Sequence, residues 1–348
     1  MCRDFPGLRG KGPGFPVFPG TPGGCAGPFR YLPERSGSLP QLSSPVLQAA
    51  CGLGVFALAT APDFAASVPV HCGRFFGVPV RSRPIFTIFA CMKLTFLGTG
   101  TSQGVPVIGC RCKVCTSADK RDNRLRTSAA IVTDNGHIIL LDCGPDFRYQ
   151  MLRAGLSDLD GILFTHQHSD HTAGLDDVRP ICYFRSHDID LYAKKEVMDS
   201  LKARFAYVFA KGADRYPGAP TVAEHIITDE PFYVRDVRVI PIPANHGWID
   251  VTGYRIGNLA YLTDVKQMFE SSYRLLEGVE VLVLNCLRHS DPHPTHMILP
   301  EALEVVQRVA PKRTYFTHIS EAMGFAAQAE TLFPEGVHLA YDTLEIEF

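Results

Sequence analysis

From residue 92 onward, apolar side chains come in short runs that read as β-strands. These lie at 94–97, 128–133, 137–142 and 161–165, then at 237–242, 253–256, 259–262, 279–284, 313–316 and 338–346. Asp134-Asn135-Gly136 supplies a hairpin turn between the second and third of them. Five other segments carry apolar residues three and four positions apart, which predicts helices over 147–154, 194–209, 265–276, 300–309 and 321–332. Leu299-Pro300-Glu301 puts proline at a helix start, where its missing N–H needs no partner. Strands thus occur in both halves, each half with its own helices, and two sheets packed together with helices outside would bury all the apolar faces.

Residues 1–91 show neither alternation nor an apolar stripe. They hold 13 of the 26 prolines and 13 of the 30 glycines, in punctuation such as Gly12-Pro13-Gly14 and Thr21-Pro22-Gly23-Gly24. We read them as an extension that is disordered or not native, with Met92 opening a folded domain at 92–348. The apolar run at 46–61 is sixteen residues long. That is short of the ~20 that span a bilayer, and it begins too deep for a secretory signal, so no membrane role is expected.

Charge and cysteine use narrow the partners and the compartment. The net charge is −2, but Lys11 and seven arginines outweigh three acidic groups in residues 1–91, which leaves 92–348 at −7. A long nucleic acid would meet a repulsive field there. Cys110, Cys112 and Cys115 are crowded too tightly to staple distant loops, so zinc thiolates in a reducing, cytoplasmic setting explain them better than disulfides. Cys143, Cys182 and Cys286 sit in apolar contexts and read as small buried hydrophobes. The charged run at 120–126 reads as a solvated loop ahead of a strand, with phosphate steering as its functional alternative.

The strongest chemical signal is His166-Gln167-His168-Ser169-Asp170-His171, which follows directly on the apolar Ile162-Leu163-Phe164. A strand ending in a tight turn can project three imidazoles and a carboxylate from one loop, a donor set suited to a two-metal hydrolase. The arrangement recurs downstream: Val239-Ile240-Pro241-Ile242 leads to His246, Leu259-Ala260-Tyr261-Leu262 to Asp264, and Thr314-Tyr315-Phe316 to His318. Seven potential ligands at the ends of successive strands place one site on one edge of the sheets.

These residues resemble the metallo-β-lactamase-fold hydrolases, whose His-x-His-x-Asp-His loop is matched by 166–171 and whose pattern covers essentially all of 92–348. The resemblance implies an α/β fold, an αββα four-layer sandwich. It also implies two divalent ions, Zn²⁺ or Mn²⁺, one on His166, His168 and His246, the other on Asp170, His171 and His318, with Asp264 bridging and both aspartates serving catalysis. Asp142, in Leu140-Leu141-Asp142-Cys143-Gly144, resembles the buried aspartate that orients these ligands.

Three stretches are similar to the phosphoribosyl 1,2-cyclic phosphate phosphodiesterase group, itself related to the tRNA 3′-processing endonucleases. They are Leu97-Gly98-Thr99-Gly100-Thr101-Ser102-Gln103-Gly104-Val105-Pro106, the loop Gly109-Cys110-Arg111-Cys112-Lys113-Val114-Cys115, and Thr317-His318-Ile319-Ser320. This similarity implies a phosphodiesterase that opens a small cyclic phosphodiester, either a phosphoribosyl cyclic phosphate or a cyclic nucleotide, and it implies a homodimer. In that group the cysteine loop binds a structural zinc completed by a histidine; here that position is Glu321, so Cys110, Cys112 and Cys115 carry over without the fourth ligand. His296 matches the group's extra histidine, which assists departure of the alkoxide; by position alone it is a helix-entry residue, and His289 and His293 are weaker candidates. Thioester or lactam hydrolases share the seven-residue core, as do tRNA 3′-processing enzymes. His296 and the cysteine loop speak against the former, and the acidic balance without a long basic insertion speaks against the latter.

Overall fold

The computed structural model describes residues 92–348, and the reading of 1–91 as an extension lies outside the described residues. Strands β1 (Lys93–Gly98), β2 (Ser128–Val132), β3 (Ile138–Leu141), β4 (Gly161–Leu163), β5 (Ile189–Ala193) and β6 (Val222–Ile226) follow one another across one sheet. Pairing is antiparallel as far as β3 and parallel from there. The second sheet repeats the plan. After the short β7 (Phe232–Val234), strands β8 (Val237–His246), β9 (Ile249–Ile256) and β10 (Leu259–Leu262) are antiparallel neighbours. A short β11 (Gln267–Met268) flanks β8, and β12 (Val281–Asn285), β13 (Arg313–Thr317) and β14 (Val337–Leu339) continue in parallel from β10. The final strand, β15 (Glu345–Glu347), returns to the first sheet beside β1.

Alternation along the strands produces the layers. Ile139 and Leu141 of β3 and Val281 and Val283 of β12 join one apolar cluster between the sheets, whereas Leu140, and Leu282 with Leu284, point to clusters on the outer faces. Sheets that are apolar on both faces need helices on both outsides. The first sheet is covered by α1 (Phe147–Ala154), α3 (Arg179–Arg185) and α4 (Lys195–Arg204); the one-turn α2 (Ser169–Thr172) and α5 (Ala206–Phe209) lie within this part of the chain. The second is covered by α6 (Glu270–Leu275), α7 (Leu299–Val309) and α8 (Ala326–Ala329). The architecture is therefore the expected αββα sandwich.

Several expected elements differ, each for a local reason. The helix expected over 265–276 begins only at Glu270, because the Val265 carbonyl accepts instead from Asn285 Nδ2 (2.9 Å) and the Met297 N–H (3.1 Å), and Gln267 and Met268 pair with β8. The one expected over 194–209 breaks at Phe205, and the one over 321–332 becomes three short turns around Gly324, whose φ is 91°. The strand expected over 338–346 is split at Asp342, whose carboxylate accepts from Thr99 N, Thr99 Oγ1 and Leu125 N. The charged run at 120–126 is not a fully solvated loop. Arg124 is buried, donating to Thr99 Oγ1 (2.8 Å) and the Ala340 carbonyl (2.6 Å), and Asp122 is buried, accepting from Ala326 N (2.7 Å). These contacts tie the loop to the end of the chain rather than offering charge to a ligand. Cys143, Cys182 and Cys286 are buried, as their apolar contexts predict.

Candidate metal centre

In each sheet the strands that end in candidate ligands point the same way. β3 and β4 are parallel, β10 and β13 run together, and β8 shares their direction through antiparallel β9. Their carboxyl ends meet at one edge, the place where open α/β sheets present ligand-binding loops. Three residues there, Asp142, Asp264 and His318, have left-handed backbones with φ of 62°, 58° and 55°. Such conformations cost energy for residues with a Cβ and concentrate at functional sites. The 166–171 loop lies on the segment after β3: Cys143 N–H donates to the His171 carbonyl at 2.8 Å, and a Cβ on Gly144 would come within 2.1 Å of the Asp170 carbonyl oxygen. Only glycine permits that approach.

The structure brings the seven strand-end residues into two adjoining groups. His166, His168 and His246 converge in one; Asp170, His171, Asp264 and His318 converge in the other, with ligand atoms within 4.8 Å of one another in each. Asp264 belongs to both neighbourhoods. One of its oxygens, Oδ2, is 3.1 Å from His171 Nε2, while Oδ1 lies 3.1 Å from His318 Nε2 and 3.8 Å from His246 Nε2. His296 joins the same cluster, its Nε2 3.0 Å from Asp264 Oδ1, and its ring stacks on that of His318. His293 stands behind it, Nδ1 to Nδ1 at 3.1 Å, and His289 makes no contact with the group.

Neighbours fix which ring nitrogen is free. Asp142 Oδ2 accepts from His171 Nδ1 at 2.7 Å, and the Asp142 carboxylate also accepts the N–H and hydroxyl of Thr165, both at 2.8 Å. The Thr295 carbonyl accepts from His246 Nδ1 at 2.6 Å, and His166 Nδ1 is 3.0 Å from Thr165 Oγ1. In all three imidazoles Nε2 is left toward the centre, the arrangement that outer hydrogen bonds impose on metal-binding histidines. Asp142→Asn, which turns an acceptor into a donor toward His171, is expected to lower metal affinity about 10- to 100-fold. Competition with a chromogenic chelator measures this directly, and an unchanged affinity would contradict the orienting role.

The electrostatics are those of a centre built around positive charge. Burial pulls His166 well below the ordinary imidazole value and His246 down to about 4. Against its burial, Asp264 is held well below the carboxylate range by His318 and His171, and Asp170 likewise by His171 and His318. Burial also opposes charge on His171, yet Asp264, Asp170 and Asp142 together hold it well above its ordinary value. Burial lowers His296, with the contact to Asp264 opposing. His166 Nε2, His171 Nε2 and both ring nitrogens of His318 are buried and make no hydrogen bond. A buried polar atom without a partner costs roughly 1–3 kcal/mol. Several of them converging beside two carboxylates fit nitrogen and oxygen donors for divalent ions.

A second cluster lies on the loop after β1. The sulfurs of Cys110, Cys112 and Cys115 converge within 4.8 Å, and each accepts a backbone N–H, from Cys112, Cys115 and Val107 respectively, at 3.4–3.5 Å. The N–H of Cys115 holds the Cys112 thiol below its usual value, and burial pushes Cys115 up to about 12. Glu321, which opens a short turn capped by Ser320, is not part of this cluster.

With this geometry established, comparison with known proteins is specific. Residues 137–319 match the beta-lactamase superfamily domain. The crystal structure of a new diphosphatase from the PhnP family is 40% identical and superposes with a TM-score of 0.69, over 74% of this chain and 98% of that one. The chain belongs to the beta-lactamase superfamily, in its PhnP family. An octanoyltransferase of Porphyromonas gingivalis is 40% identical over 255 residues, 73% of this chain, but this chain spans about half (51%) of that protein's length. Human tRNase Z, short form, shares the fold alone, at 19% identity and a TM-score of 0.53 over 73% of this chain and 98% of that one. The family assignment establishes a metal-binding hydrolase of this fold. Two features of the site escape the motif. His293 is tied to His296 through space, and Trp248 stands at the cavity mouth beside His246, where no spacing rule marks it. No helix among the described residues is long and apolar enough to cross a membrane.

Proposed function

We propose that this centre holds two divalent ions and hydrolyses small phosphodiesters, opening a cyclic diester such as a phosphoribosyl cyclic phosphate or a cyclic nucleotide. The observation that carries the reading is His296. It is an imidazole outside the seven-residue set, in contact with the shared Asp264, on the wall of a cavity of about 280 Å³ that His168 and Asp170 also line. A departing sugar alkoxide needs a proton, whereas a departing thiolate is stable without one, so this imidazole suits an oxygen ester better than a thioester. The 40% identity to a PhnP-family diphosphatase supports the same reading.

Zn²⁺ or Mn²⁺ would be held by His166, His168 and His246 in one position and by Asp170, His171 and His318 in the other, with Asp264 shared. When bound, such ions supply positive charge for the phosphoryl oxygens and an acidified water as nucleophile. The rest is the work of the chain. Asp142 and the Thr295 carbonyl orient His171 and His246. His296 Nδ1 is engaged by Thr295 Oγ1 at 2.9 Å and His293 Nδ1 at 3.1 Å, which turns Nε2 to Asp264 Oδ1 at 3.0 Å, beside the reacting space. As water that has given one proton to solvent bonds to phosphorus as hydroxide and the phosphorus–sugar oxygen bond breaks, His296 in its cationic form passes its Nε2 proton to the sugar oxygen and is left neutral, keeping the proton on Nδ1. The same reading takes a structural zinc at Cys110, Cys112 and Cys115, and Cys112→Ser is expected to lower zinc content by one ion per chain while the His/Asp centre keeps its ions. Elemental analysis of the purified protein checks this; unchanged zinc would contradict it.

The acidic balance of 92–348 favours a small substrate over a long nucleic acid, a homodimer follows the family pattern, and six free cysteines among the described residues suit a reducing cytoplasm. Metal-reconstituted protein should turn over a chromogenic diester, a cyclic phosphoribose and cyclic nucleotides, and leave a thioester and a lactam intact. Turnover of the thioester or lactam with silent diesters would overturn the proposal.

A further inference from the structure

We propose that Trp248 is a stacking platform for a nucleobase, so that the centre takes a nucleotide phosphodiester in preference to a base-free sugar phosphate; this rests on the phosphodiesterase reading above. Trp248 is the only tryptophan of the chain and is 83% exposed; Tyr183 and Phe184 are exposed as well, but of these aromatics Trp248 is the one that lines the cavity at the His/Asp cluster. It lies two residues after His246 and lines the same cavity as His168, Asp170 and His296.

The turn that carries it is held firmly. Gly247 has φ 76°, its N–H donates to Asn245 Oδ1 at 2.9 Å, and Asn245 Nδ2 reaches the Ile249 carbonyl at 3.4 Å and Asp250 Oδ1 at 3.3 Å. A Cβ at Gly247 would lie 2.7 Å from Thr295 Cγ2, so the turn packs against the segment that bears His296. A large apolar ring held in water beside a reacting centre by the backbone of its turn gains when something covers it.

Size and charge indicate what covers it. At about 280 Å³ and lined by imidazoles and carboxylates, the cavity suits a sugar phosphate and leaves a planar base to lie at the mouth, against the open indole face. The acidic surroundings disfavour a longer polyanion. Stacking of a base on an aromatic side chain is sequence-tolerant and is worth roughly 5- to 100-fold in affinity.

Because there is one tryptophan, fluorescence excited at the red edge, beyond the absorption of the twelve tyrosines, reports this residue alone. Titrating the metal-loaded full chain with AMP should quench the indole saturably, and ribose 5-phosphate should not. The ratio of kcat/KM for 2′,3′-cyclic AMP to that for ribose 1,2-cyclic phosphate should fall roughly 5- to 100-fold in Trp248→Ala, through KM, and return in large part in Trp248→Phe. No quench by AMP, equal quench by ribose 5-phosphate, or an unchanged ratio would overturn the proposal. The fluorescence arm needs no turnover, so failure of the phosphodiesterase reading is seen separately, as AMP binding without hydrolysis of any diester.

Discussion

Asp264→Ala is expected to lose at least one bound metal ion per chain and on the order of 10³- to 10⁴-fold in kcat/KM toward a phosphodiester. The magnitude follows from the several kcal/mol of charge stabilisation that bound ions give a phosphoryl transition state, at about 1.4 kcal/mol per tenfold. The choice of residue follows from position, since its carboxylate is the one that approaches His171, His318 and His246 together. Asp170 approaches only His171 and His318, so Asp170→Ala should deplete one ion while Asp264→Ala weakens both positions. Asp264 is buried, and its loss leaves imidazoles without their counter-charge, so circular dichroism should accompany elemental analysis to show that the fold is kept. A folded Asp264→Ala protein that retains two ions and full turnover would contradict the sharing of this carboxylate.

His296→Ala should keep its metal and lose roughly 10²- to 10⁴-fold in kcat on diesters with alkyl or sugar leaving groups, the usual yield of general acid catalysis. On a p-nitrophenyl diester, whose leaving group departs without a proton, the loss should be no more than a few-fold. That contrast separates a proton donor from a metal ligand, a distinction that matters because His296 also lies within reach of Asp264 and His246. Loss of metal together with equal loss on both leaving groups would make His296 a ligand.

Much of the centre was legible in the sequence because chemistry follows strand ends. An apolar run that stops at a polar ligand marks where a buried strand leaves the sheet, and His166, His246, Asp264 and His318 all follow such runs. Their convergence is a property of topology, since the shared strand direction that brings β4, β8, β10 and β13 to one edge is set by long-range pairing. What the pattern misread was decided by single polar side chains. Asn285 takes the Val265 carbonyl that a helix over 265–276 would have used, and the Asp342 carboxylate draws the backbone out of a strand. Arg124 and Asp122 read as solvated charge because burial through distant carbonyls and N–H groups leaves no periodic trace. Trp248 carried no signal for a related reason: Gly247-Trp248-Ile249 reads as two apolar residues in a hairpin turn, and only the packing of that turn on Thr295 puts the indole beside the centre.

The most direct test of the central claim, that water attacks phosphorus at this centre, is hydrolysis of a cyclic phosphodiester by the metal-loaded protein in H₂¹⁸O, read by ³¹P NMR. Attack on phosphorus predicts one solvent-derived ¹⁸O in the phosphomonoester product, seen as an upfield isotope shift of its resonance. Label found on the sugar carbon with none bonded to phosphorus, or no hydrolysis of the diester by fully metal-loaded protein, would contradict it.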